Sequence, residues 1–236
     1  MSDALTLPER VLAIGAHPDD IEFGAGGTLA KWSAAGSEVT LLIVTDGSKG
    51  TWDVGTDPTD LAATRRSEQL AAAHALGAAH LVHLDHVDGE LVYDMALRYE
   101  ICLQIRIHRP DVLLSHDPWK RYMLHPDHRA TGWGAIDGMV AARDHLFFPE
   151  QGLPPHRPSA MLLWAADEPD HWEDIAPSFS AKLAALLCHA SQGPTTMGGA
   201  DDEARAAFEK RLAERAAESG APAGLGLGEA FKRLHP

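Results

Sequence analysis

The sequence predicts an α/β protein built on a doubly wound, mostly parallel sheet with helices on both faces. Three observations carry that expectation. Short apolar runs rich in β-branched residues recur along the first half of the chain. Segments of helical length separate them. No Pro/Gly/Ser-rich linker divides the 236 residues, so residues 1–236 read as one domain. Continuous apolar strands are what a parallel sheet requires, because helices bury both of its faces.

The elements follow in order. VLAIGA (11–16) is the first buried strand. FGAGGTLAKWSAAG (23–36) reads as a helix, with small residues where it approaches the sheet. VTLLIVT (39–45) is the second strand, and DGSKGTWDVGTDP (46–58) is a glycine-rich loop. Residues 59–77 form an amphipathic helix that Gly77 terminates, since glycine readily takes the left-handed conformation of a helix end. HLVHL (80–84) is the third strand; a helix over 94–108 stops before Arg109-Pro110, and DVLLSH (111–116) is the fourth strand. Residues 126–145 look helical. The segment 149–158, with four prolines, is a loop, and SAMLLWAA (159–166) is a later strand. Helices are expected over 178–191 and 201–218. The Gly- and Ala-rich tail from Ser219 is expected to be loosely ordered. The strand–helix alternation makes the domain Rossmann-like.

Composition removes several function classes. Twenty Lys and Arg against 34 Asp and Glu give a formal charge of −14, which disfavours nucleic acid and anionic membrane as partners. There is no apolar run of about 18 residues, so no membrane span is expected. MSDALTLPER has no basic n-region leading into an apolar run, so a cytoplasmic location is expected. Cys102 and Cys188 have neither metal-site nor disulfide spacing and read as small apolar residues in a reducing compartment.

The chemistry concentrates at strand ends. AHPDDIE (16–22) follows the first strand, SHDP (115–118) the fourth, and HPDHR (125–129) lies in the loop beyond it. Ligands of an open parallel sheet bind at the carboxyl ends of its strands, so these clusters can face one crevice. His17 and Asp20 are three residues apart, as are His125 and His128; at a helix start, such a spacing puts both imidazoles on one face. One Asp and two His can hold zinc through O and N and leave a fourth position open, as catalytic sites do. A bound dication would explain why carboxylates crowd the end of a buried strand. The alternative, in which His17 and Asp20 merely cap a helix and His125 and His128 are surface residues, leaves the adjacent Asp19 and Asp20 unexplained.

AHPDDIEFGAGGTLA, VTDG, TRRSEQLAAAHALGA, HPDHRATG and KLAALLCHASQ, in that order from Val11 to about Phe231, resemble the PIG-L/LmbE-type N-acetylglucosaminyl deacetylases. That resemblance implies a zinc-dependent hydrolase that removes an N-acetyl group from a small N-acetylated sugar conjugate. It implies His17, Asp20 and His128 as ligands of one Zn2+ per chain, with another divalent ion as an alternative. It implies Asp19 as general base, His125 as oxyanion stabiliser and acid, and Asp127 as the residue orienting His125. Arg65 and Asp88 become candidate sugar contacts, with Arg66 an alternative to Arg65. SKGTWD (48–53) departs from the family's commoner acidic pattern, which bears on substrate binding rather than on chemistry. Relatives often form homo-oligomers, trimers and hexamers among them, so a homo-oligomer is implied without its number.

Other readings are a mycothiol-conjugate-type amidase, a tailoring deacetylase of an antibiotic intermediate, or a non-catalytic metal-binding module. GAGG (24–27) with Asp46 partly mimics a dinucleotide fingerprint, but the spacing is wrong and AHPDD fills the turn that pyrophosphate would need. Gly24, Gly26 and Gly27 are better explained by close helix packing. His189 and Gln192, in HASQ, are expected to pack or to meet another subunit.

Overall fold

The computed structural model of the chain describes residues 5–199 and 201–236. The strands are β1 (Arg10–Gly15), β2 (Glu38–Thr45), β3 (His80–His86), β4 (Val112–His116), β5 (Ala160–Trp164), β6 (His171–Asp174) and β7 (Gly228–Leu234). The helices are α1 (Asp20–Ala34), α2 (Pro58–Leu76), α3 (Met95–His108), α4 (Pro126–Ala142), α5 (Phe179–Leu187) and α6 (Asp202–Gly220). The sheet order is β3-β2-β1-β4-β5-β7-β6. The first five strands are parallel, β7 runs antiparallel to both its neighbours, and the fold class is the one the sequence predicts.

Alternation along the central strands splits the core in two. Val11, Ala13, Val39, Leu41 and Ile43 pack with Ile21 and Leu29 of α1 and with α2 and α5. Leu12, Ile14, Leu42 and Val44 pack on the other face with Leu97, Ile101 and Ile105 of α3 and with α4. Small residues set how closely α1 approaches. A Cβ on Gly24 would lie 2.5 Å from the Trp164 ring, and one on Gly27 would lie 2.7 Å from Ile175. These glycines serve packing, as expected.

The C-terminus departs from expectation. Residues beyond Ser219 are not a loose tail; they supply β7, which inserts between β5 and β6. Phe231 is fully buried there. Glu229 is buried beside α1, where its carboxylate accepts hydrogen bonds from Gly27 N, Thr28 N and Thr28 Oγ1 and pairs with Lys182 Nζ at 2.5 Å. Lys182 Nζ also donates to Phe23 O. One buried ion pair therefore ties β7 and α5 to the helix that begins with Asp20. Strand β6 was not expected either: HWED has a single apolar side chain among three polar ones.

Two helices end earlier than their sequence patterns suggest. Helix α4 stops at Ala142 because buried Arg106 takes the carbonyls at its end, donating to Ala141 O and Ala142 O and to Asp144 O, Phe147 O and Phe148 O of the next loop. Helix α5 stops at Leu187, and the chain turns so that His189 is fully buried. Among the described residues, no helix is long and apolar enough to cross a membrane.

Candidate active site

Strands β1 and β4 are neighbours, with Ile14 beside Ser115. The chain leaves them toward opposite sides, which opens the crevice expected where strand order reverses. That is why motifs about a hundred residues apart in sequence meet. After β1, the turn over 16–19 is closed by Asp20, whose Oδ2 accepts from His17 N at 2.7 Å. Asp19 immediately precedes α1 with φ 93°, a left-handed conformation rare outside glycine. Beyond β4, His125 caps α4, Pro126 occupies its first turn, and His128 follows one turn on.

Three imidazoles gather around Asp20, and a fourth, His125, packs against two of them. His128 Nε2 lies 3.2 Å from Asp20 Oδ1, His17 Nδ1 lies 3.1 Å from Oδ2, and His116 Nε2 lies 3.4 Å from Oδ2. The His125 and His128 rings stack at 4.8 Å, and the His116 and His128 rings stack at 4.3 Å. Three overlapping groups have donor atoms close enough to share an ion: His17, His125 and His128; Asp20, His116 and His128; and His17, Asp88 and Asp127. The donors are imidazole nitrogens and carboxylate oxygens, a borderline set that suits zinc and other first-row divalent ions.

The orientation of His17 fits a ligand. Its Nε2 lies 3.1 Å from Asp127 Oδ2 and 3.1 Å from Asp88 Oδ1, which leaves Nδ1 facing Asp20. A ring N–H held by carboxylates fixes the tautomer and makes the opposite nitrogen a stronger donor to metal. Without a metal the ring is an imidazolium. Burial alone would lower its pKa, but hydrogen bonds to Asp127, Asp20 and Asp88 outweigh that and push it up to about 12.

The two adjacent aspartates are held in opposite states. Burial would raise the Asp20 carboxyl, but the charges of His128 and His116 hold it well below the usual carboxylate range. Burial pushes the Asp19 carboxyl up to about 7 despite the opposing charge of Arg65. Asp19 thus sits beside the imidazole cluster without being bound into it.

The structure brings His17, Asp19, Asp20, His125 and His128 together. It places the other predicted residues differently. The Asp127 carboxylate does not orient His125; it accepts from His17, Gly89 N and Leu91 N, while the backbone N–H of Asp127 donates to His125 Nδ1 at 3.3 Å. Asp88 is buried against His17 and accepts from Lys49 N at 3.1 Å. Arg65 is 3% exposed, and its guanidinium donates to Pro18 O and Gly47 O and lies 3.5 Å from Asp19 Oδ2. Neither Asp88 nor Arg65 has an open face for a sugar. Arg66 instead pairs with Asp85 at the surface.

Sequence reasoning assigned no role to His116, although SHDP marked the right strand end. Its Nδ1 accepts from Trp164 Nε1 at 3.1 Å, which leaves Nε2 toward Asp20. A cleft of about 850 Å3 begins at Asp20, His116 and His128 and extends between Phe23, Trp164, Trp172 and Leu212. Tyr122, in the loop before α4, lines its mouth.

Known proteins match this chain in both sequence and fold. The profile of the PIG-L family, described as GlcNAc-PI de-N-acetylase, matches residues 12–138, which include every site residue named above except Trp164, Trp172 and Leu212. A diacetylchitobiose deacetylase of Thermococcus kodakarensis is 38% identical over 192 residues, 79% of this chain and 71% of the relative. A 1D-myo-inositol 2-acetamido-2-deoxy-alpha-D-glucopyranoside deacetylase of Streptomyces avermitilis is 30% identical over 63% of this chain and 59% of its own length. The solved structure of an N,N'-diacetylchitobiose deacetylase from Pyrococcus horikoshii superposes with a TM-score of 0.88 and 33% identity, covering 97% of this chain and 84% of that one.

Proposed function

Because this chain belongs to the PIG-L family of de-N-acetylases, we propose that it removes the acetyl group from an N-acetylglucosaminyl conjugate, using a zinc ion held by His17, Asp20 and His128. The observation that carries this reading is the division between the adjacent aspartates. Asp20 is locked among imidazoles, while Asp19 stays outside them with a carboxyl pushed up to about 7. A general base works best with a pKa near the operating pH.

The bound ion would supply Lewis acidity, polarising the amide carbonyl and easing deprotonation of the attacking water. Asp19 takes the proton of that water as it adds to the acetyl carbon. His125 Nδ1 accepts from a backbone N–H, so its own N–H is on Nε2 and can hydrogen-bond to the carbonyl oxygen as negative charge develops there. Burial lowers the His125 pKa, so we assign it the role of neutral donor and give the acid step to Asp19. Asp19 passes its proton to the departing nitrogen as the C–N bond breaks, releasing acetate and a free amine. Asp88 and Asp127 hold His17, and Arg65 steadies the Asp19 carboxylate.

A second reading concerns the rest of the substrate. The cleft of about 850 Å3 is far larger than an acetyl group needs, which favours a bulky acyl group or aglycone, as in a mycothiol-conjugate-type amidase or an antibiotic-tailoring deacetylase. We place the reaction in the cytoplasm and retain a homo-oligomer as part of the proposal. The test is release of free amine from a panel comprising diacetylchitobiose, N-acetylglucosaminyl-inositol and longer N-acyl glucosaminides, with Asp19→Asn as control. Amine release that falls by about a hundredfold or more in Asp19→Asn, yet stays measurable, while the metal stays bound supports the proposal. Equal turnover by both proteins, or loss of metal from the variant, overturns the role of Asp19.

A further inference from the structure

We propose that Gln69, backed by Glu22, is the positioning residue that holds Asp19 in its working conformation. This rests on the reading of Asp19 as the base. Asp19 has φ 93°, a backbone conformation costly for a residue with a Cβ, and the surrounding structure must over-determine it. Arg65 restrains the carboxylate end. The backbone end is held by Gln69, whose Oε1 accepts the Asp19 N–H at 3.1 Å.

A glutamine can present either its oxygen or its amide nitrogen, and only the oxygen can serve here. Glu22 decides between them. Gln69 Nε2 donates to Glu22 Oε1 at 2.6 Å, and a carboxylate accepts but does not donate. Gln69 and Glu22 are both fully buried, so the orientation of the amide is set by these two protein partners. The other Glu22 oxygen faces His189 Nε2 at 3.9 Å, and His189 is itself fully buried.

The turn carrying His189 is pinned on both sides. Ser191 donates to Glu68 of α2 through N and Oγ, and Gln192 Nε2 donates to Gly50 O in the glycine-rich loop. His189 thus lies beside Glu22 but beyond hydrogen-bond distance, and the hydrogen-bonded link to Asp19 runs from Glu22 through Gln69.

The experiment measures kcat, KM and bound metal for Gln69→Met and Asp19→Asn, alone and combined, on the best conjugate of the panel above. Methionine keeps the volume and removes the acceptor. We expect Gln69→Met to lower kcat by about tenfold or more, with KM and metal content within roughly twofold, and to add no further loss in the Asp19→Asn background. A residue that acts only on folding would add its loss to that of Asp19→Asn. Unchanged kcat, or additive losses, overturns the proposal. If Gln69→Met does not fold, as judged by thermal melting, Glu22→Gln is read by the same criteria, because an amide at position 22 frees Gln69 to flip. Should Asp19→Asn itself turn over like the wild type, the assignment of the base has failed, and this outcome is distinguishable from failure of Gln69.

Discussion

Glu229→Gln should destabilise the whole domain, and the size of the effect follows from what the carboxylate touches. Glu229 is the only anion that meets Lys182 in the salt bridges described, and their side chains are each 5% exposed. Glutamine has the same shape and can still accept from Thr28 or Gly27, so the substitution chiefly strands a buried ammonium. Removing one partner of a buried pair costs about 3–5 kcal/mol, because the remaining charge keeps its desolvation penalty without the attraction that offsets it. With a urea m-value of about 2 kcal/mol/M, the midpoint should fall by about 2 M. Adding Lys182→Met should recover about 1 kcal/mol or more, since the stranded charge is then gone. Urea denaturation followed by far-UV circular dichroism measures both. A loss below about 1 kcal/mol for Glu229→Gln, or a double variant as unstable as the sum of its singles, would refute the reasoning.

Other consequences follow from the same geometry. Metal uptake should displace about one proton at pH 7, because His17 must lose a proton held with a pKa of about 12; calorimetric titrations in buffers of different ionisation enthalpy count it. In the metal-free protein, the folded pKa of His17 lies above its unfolded value. Its contribution to stability is therefore complete below about pH 6.5 and declines as pH rises toward 12, which thermal melts of wild type and His17→Gln across that window would trace. His116→Phe should weaken metal binding about 10–100-fold by freeing the Asp20 carboxylate, with less effect on kcat once metal is saturating; competition with a chromogenic chelator reads the affinity. Arg106→Met should cost about 3 kcal/mol by uncapping the end of α4 while leaving kcat unchanged, since Arg106 binds only Gln151 and the carbonyls of 141–148.

Backbone architecture was legible wherever burial dictates residue type. Val11 to Ile14 and Leu41 to Val44 must be apolar because helices cover both their faces, and the sequence displays that directly. The C-terminal strand was hidden because GEAFKRL earns its place through one buried phenylalanine and one buried ion pair, and neither produces alternation. In the site, i,i+3 spacing placed His17 with Asp20 and His125 with His128, since local geometry fixes such pairs. Spacing does not choose a rotamer. Asp127 is two residues from His125, yet its carboxylate turns toward His17 and the Gly89 and Leu91 amides, where three donors outbid one. Arg65 and Asp88 became candidate sugar contacts through the family resemblance, which says nothing of how deeply each side chain is buried. The structure buries both behind the residues they brace.

That bracing explains why two carboxylates can sit side by side at the end of a buried strand. Placed in equivalent surroundings, neighbouring aspartates would repel each other and share their titration. Here the left-handed turn at Asp19 sends the two side chains to different environments. One meets the charges of His128 and His116 and stays ionised. The other meets a single guanidinium and a buried wall, and keeps a carboxyl that can exchange a proton near neutral pH. The strain at Asp19 is thus what converts a repeated residue into two distinct functions. Any residue that relaxes the turn should merge those environments before it disturbs the fold, because β1 and α1 are each fixed by their own packing on either side of it.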